Sequence, residues 1–239
     1  MLPPAAVSTR TERTPGWLPW AMPFAIYMGF VVVESSLDST AGWLGVGPGA
    51  ARLWLYPVKI AAVTCALAYF WPRLVELHAR PRLTLTDLGL AAAVGALVYV
   101  AWVRMAWSWA TQGTIGAGYD PFVAGSGVGA LLAAVRVIGA AGVVPVMEEL
   151  FWRSFLSRYL VSSDFSQVRL GAFTPVSFGV TALLFGVEHQ LWLAGIMAGV
   201  AYNLVLYKTG RLWPCILAHA VTNAMLAAHV MLTREWYWW

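Results

Sequence analysis

Leu88-Gly89-Leu90-Ala91-Ala92-Ala93-Val94-Gly95-Ala96-Leu97-Val98-Tyr99-Val100-Ala101-Trp102-Val103 contains no charged side chain. A helix that packs in a water-soluble domain keeps a charged outer face, and this stretch offers none. Thr181 to Val187 is equally bare. The same pattern extends over the chain, which is 60% hydrophobic and 11% charged, with its apolar residues in long runs rather than short alternations. Lipid is therefore the expected solvent.

Outward from that run, further apolar stretches lie at about 17–33, 53–71, 88–107, 125–161, 172–190, 192–207 and 212–232. The spacing predicts an all-α, polytopic transmembrane helical bundle of seven or eight spans, because the fourth stretch is too long for one straight crossing. Turn signals separate the runs at Gly45 to Gly49, Pro72 to Pro81, Gly113 to Pro121 and Thr209-Gly210, and Gly210 is placed to end a helix. Residues 1–16 form a polar tail ahead of a long apolar run without a small-x-small cleavage site, as in a retained signal anchor. No internal repeat or linker interrupts 17–239, so one membrane domain is expected. The closing Trp236-Tyr237-Trp238-Trp239 suits an aromatic anchor at headgroup level.

The formal net charge is +4, but no basic run interleaved with aromatics is present, which excludes a nucleic-acid partner. Basic residues cluster at Arg10 and Arg13, at Arg73, Arg80 and Arg82, at Arg153, Arg158 and Arg169, and at Lys208 and Arg211. The connections near 37–50 and 108–124 carry Asp38 and Asp120 but no Lys or Arg. The positive-inside rule then puts the N-terminus in the cytoplasm, and seven spans would put the C-terminus outside. Cys65 and Cys215 sit in apolar runs without CxxC spacing and read as small core residues.

Ionisable groups at membrane depth cost about 2.5 to 3.5 kcal/mol each, so they are rarely incidental. Val144-Pro145-Val146-Met147-Glu148-Glu149-Leu150-Phe151-Trp152-Arg153 places two carboxylates and a guanidinium in one apolar stretch. Glu149 and Arg153 are four apart and can pair on one helix face. Phe185-Gly186-Val187-Glu188-His189 and His219-Ala220-Val221-Thr222-Asn223 add polar groups in two further spans, the latter with an imidazole and a carboxamide on one face. Alone, each cluster reads as internal glue; three together mark a candidate site. On a continuing helix Glu188 would point about 100° from His189, toward another span. Helix rise puts Glu148 and His189 at similar depth and His219 several ångströms shallower, a gap that tilt, a shifted helix start or a break near Pro145 would close. Gly195 and Gly199 form G-x-x-x-G, a helix-packing motif. The second and third spans carry only Lys59 and Arg104, which argues against a transport pathway.

E-E-x-x-x-R at Glu148 to Arg153, F-x-x-x-H at Phe185 to His189 and H-x-x-x-N at His219 to Asn223 resemble, in that order, the CPBP family of intramembrane proteases, which includes the CAAX prenyl endopeptidases. Gly195 to Gly199, Tyr202 and Thr209 to Pro214 resemble the stretch joining the last two motifs, and the resemblance places a protease-like core at 127–232. The Trp-rich Ala101 to Pro121 segment further resembles the bacterial CAAX-protease-related subgroup associated with exosortase and PEP-CTERM sorting. The resemblance implies an endopeptidase of the bacterial inner membrane acting on a membrane-associated or lipidated peptide. In it Glu148 is the base that activates water, His189 shares or orients the proton, His219 and Asn223 stabilise the oxyanion, and Glu149, Arg153 and Phe185 support them. The implied mechanism needs no cofactor. A rival set uses Glu148, His189 and His219 as ligands for Zn²⁺ with an open fourth position. The alternative to an enzyme is a non-catalytic scaffold or assembly factor in protein export or sorting.

Overall fold

The computed structural model describes residues 16–44, 48–78, 83–113, 116 and 118–239. The side chains of 37–44 and 48–50 lie outside that description, as do most of the polar tail with Arg10 and Arg13, the first connection around Gly45, and Arg80 and Arg82.

All regular structure among the described residues is helical. The main helices are α1 (Leu18–Leu44), α2 (Pro48–Phe70), α3 (Leu85–Arg104), the continuous run α4 (Ser126–Tyr159), α5 (Pro175–Val187), α6 (Trp192–Thr209) and α7 (Leu212–Thr233). Segments of α1, α2, α3, α4 and α7 are long and apolar enough to cross a membrane by length and composition, and α5 is a shorter apolar helix. The protein is an integral membrane protein.

Local chemistry sets the helix ends. Thr84 and Asp87 form a reciprocal capping box at the start of α3, which satisfies two donors that a helix start leaves open. Thr174 accepts from the Ser177 N–H at the start of α5, where Pro175 needs no donor partner. Gly210, at φ +63°, closes α6 as its sequence position predicts. Arg234, at φ 62°, is the one non-glycine residue with positive φ among those described. It ends α7 and turns the chain back over the bundle, its guanidinium 4.7 Å from the Phe122 ring centroid.

The fourth apolar stretch stays one helical run instead of breaking into two spans. It absorbs its excess length and Pro145 by widening to π-helical geometry at Gly139–Val143 and Leu150–Leu156. Conversely, α5 has 13 residues, fewer than the predicted 172–190 span. At 1.5 Å per residue it extends about 20 Å, short of a bilayer's hydrocarbon core. The chain past Val187 therefore leaves the helix in a turn, and the carbonyls there need partners other than the next helical turn. Gln112, from the Trp-rich segment, supplies them: its Nε2 donates to Val187 O (2.8 Å) and His189 O (3.2 Å), and its backbone N–H to Gln190 O (2.7 Å).

Small residues bring the helices around the site close together. A Cβ on Gly195 would lie 2.8 Å from Gly186 Cα, and one on Gly199 would lie 3.0 Å from Ala182 Cα, so α5 and α6 touch backbone to backbone. Gly95 plays the same part between α3 and α7, where Thr222 donates to its carbonyl (3.0 Å). One apolar cluster joins α1, α2 and α4 through Tyr56, Ile60, Val63, Met147 and Leu150. A second, with Trp152, Phe185, Tyr202 and Ala218, joins α3 to the C-terminal helices. Cys215 is in the core, but Cys65 is exposed on the outer face of α2, where its helical register carries it away from the buried Val63 and Leu67.

Candidate active site

Pro145 begins the construction. The widened turn sends the Val144 N–H to Gly139 O, five residues back. The next donor in that register would be residue 145, and proline has none. Ala140 O is thus left to a side chain, and Asn223 Nδ2 donates to it at 2.8 Å. An orphaned carbonyl on α4 thereby fixes the carboxamide of α7, leaving the second Nδ2–H free to donate.

Behind this lies a buried polar chain. Arg153 NH1 donates to Glu149 Oε1 (3.1 Å), and NH2 donates to Gly199 O (3.3 Å), a carbonyl reachable because α5 and α6 pack so tightly. The guanidinium also sits 4.3 Å from the Phe185 ring centroid. Glu149 and Arg153 are both fully buried. Glu149 Oε1 is 3.0 Å from His219 Nδ1, and Tyr202 stacks on the His219 ring at 5.0 Å while donating its hydroxyl to Thr222. With a carboxylate on Nδ1, that nitrogen carries the proton. Nε2 then faces Glu148 Oε2 at 3.9 Å.

His189 occupies the turn after α5. Its Nδ1 is 2.6 Å from Phe185 O, an acceptor only, so Nδ1 carries the hydrogen and Nε2 its lone pair. Trp102 and Phe185 pack edge-on and obliquely against the ring. Glu148, Phe185, His189, His219 and Asn223 all line one cavity of about 210 Å³. Glu149 and Arg153 lie behind its wall. Glu148 Oε2 is buried and accepts no hydrogen bond among the described residues.

The depth gap expected for His219 is absent, since His189 sits in a turn rather than on a continuing helix and the π segments let α4 present Glu148 to both histidines. The same turn brings Glu188 in. One donor atom from each of Glu148, Glu188 and His189 lies within 4.8 Å of the others, so Glu188 does not point away as a continuing helix would require. No such cluster with His219 forms among the described residues. The sequence signal available for Glu188 was its adjacency to His189 at a helix end. Arg136 also lines the cavity and had drawn no notice. Nor does the C-terminal segment act only as a peripheral anchor. Arg234 reverses the chain, Tyr119 N–H donates to Trp236 O (3.3 Å), and Trp238 and Trp239 form part of the cavity wall.

A family model described as Type II CAAX prenyl endopeptidase Rce1-like matches residues 129–225, a stretch that holds Glu148, His189, His219 and Asn223. No curated protein matches the chain. No solved structure matches it.

Proposed function

We propose that the protein is an intramembrane endopeptidase of the CAAX prenyl endopeptidase type, in which Glu148 activates water for attack on a peptide carbonyl. The observation that carries this reading is the convergence of Glu148, of His189, and of His219 with Asn223, from three segments of the chain, on one cavity. The buried Glu148 carboxylate, with one oxygen free of hydrogen bonds among the described residues, is placed to take a proton from water. The His189 Nε2 lone pair takes or relays the released proton. Asn223 donates its free N–H to the developing oxyanion. The Glu149 contact to Nδ1 orients the His219 ring, whose Nε2 donates to the oxyanion when it carries a hydrogen.

The proposed substrate is a membrane-associated or lipidated peptide. The narrower placement in the exosortase-associated subgroup of the bacterial inner membrane, N-terminus in the cytoplasm, rests on the Trp-rich 101–121 segment and on the distribution of basic residues.

A second reading has one observation in its favour. The donor atoms of Glu148, Glu188 and His189 are close enough to gather around a divalent cation, with Glu188 in place of His219. Such an ion would polarise the carbonyl and acidify a bound water. The purified protein in lipid nanodiscs, offered membrane-anchored peptides with and without chelator, separates the two. Cleavage that survives chelation supports the glutamate reading; loss restored by added Zn²⁺ replaces it with the metal reading. If neither condition yields cleavage, the proposal gives way to a scaffold in export or sorting.

A further inference from the structure

Arg136 lies on α4 in the wall of the same cavity as Glu148. Its guanidinium carbon is 4.1 Å from the Tyr56 ring centroid, 5.0 Å from that of Tyr119 and 5.9 Å from that of Trp239. Its Nε is buried and has no hydrogen-bond partner among the described residues. Arg136 as a whole is half-buried, whereas the two buried arginines among the described residues each have a carboxylate: Arg153 has Glu149 and Arg158 has Glu76. Arg136 has no ion pair among the described residues, whereas Glu34 pairs with Lys59 at 2.9 Å. Aromatic faces offset part of the cost of such a cation, but they leave its enclosed Nε–H without an acceptor among the described residues.

We propose that Arg136 is a carboxylate-binding subsite of this cavity, caged by Tyr56, Tyr119 and Trp239, that fixes one end of an apolar ligand. A guanidinium fork matches a carboxylate in bidentate geometry. The aromatic walls accept the apolar chain behind that carboxylate. Arg136 and Glu148 are twelve residues apart on one helical run, and the π-helical turn between them makes their axial separation less than the roughly 18 Å of an unbroken α-helix. A ligand anchored at Arg136 therefore runs along α4 toward Glu148. Gly139 keeps the cage compact, since a Cβ there would lie 2.6 Å from the Tyr56 hydroxyl. This inference rests on the cavity being the substrate cavity, but it needs no turnover to be tested.

The test is binding to the full chain in nanodiscs, carrying Glu148→Gln to prevent cleavage. The probes are N-acetyl-trileucine with a free carboxylate, the same peptide as its carboxamide, and laurate. A charge-assisted pair at this half-buried site predicts that the acid peptide binds about ten-fold or more tightly than the amide. Arg136→Gln should bring the acid down to the amide's affinity, with Arg136→Lys between. Laurate binding more tightly than the acid peptide would keep the carboxylate subsite and assign it to a lipid. Equal binding of acid and amide by the protein that retains Arg136, or no saturable binding of either acid, overturns the proposal without reliance on any variant's folding. Acid preference in a protein that never cleaves would leave the subsite standing while the peptidase reading fails; cleavage without acid preference would do the reverse.

Discussion

Arg153 shows how much one buried side chain can hold. Its guanidinium joins Glu149, the Gly199 carbonyl and the Phe185 face, tying α4 to α5 and α6. Removing one partner of a buried ion pair leaves the other uncompensated, at a cost of about 3 to 5 kcal/mol. Arg153→Met is therefore expected to lower the unfolding midpoint in detergent strongly, while Glu149→Gln with Arg153→Met should recover part of the loss. Equal midpoints for Arg153→Met and the unsubstituted protein would contradict the role given to the pair. The pair was legible in the sequence from its four-residue spacing within an apolar stretch. Its link to His219 was not, because spacing along one helix carries no information about which histidine a neighbouring helix presents.

At the scale of elements, the departures from a straight α-helix place the chemistry. The widened turn before Pro145 orphans Ala140 O, which holds Asn223. Pro145→Ala restores a backbone donor at that position and relieves a helix-breaking residue, so it is expected to leave stability equal or higher. With Asn223 released from its anchor, cleavage should fall by about ten- to a hundred-fold, the scale of a misplacement near 1 Å. Thermal unfolding and turnover of one preparation check both halves; full activity would sink the positioning argument. The seven apolar stretches of the sequence all became helices. What hydropathy could not convey was that α5 stops at Val187 and that Gln112 bonds the carbonyls at its end, a contact 75 residues distant in sequence. The error over Glu188 followed from assuming that helix continued.

Across the whole molecule, the closing aromatic segment joins both ends of the site. Glu235 accepts from His229 (3.1 Å) and Trp238 (3.2 Å), and these bonds hold its carboxyl below the usual carboxylate range. A carboxyl lowered in the folded state contributes fully above its unfolded value, about 4.3, and loses that contribution as pH falls through the lowered value. Tryptophan fluorescence in nanodiscs is expected to report loosening of residues 236–239 only below about pH 4.3, and Glu235→Gln should abolish that transition. A transition unchanged by Glu235→Gln would place its origin elsewhere. The central claim concerns Glu148, and its most direct measurement is single-turnover cleavage of a membrane-anchored peptide by Glu148→Gln beside the unsubstituted protein, with unfolding midpoints recorded for both. The glutamate reading predicts matching midpoints and no detectable cleavage by Glu148→Gln. Cleavage by Glu148→Gln at the unsubstituted rate would contradict it.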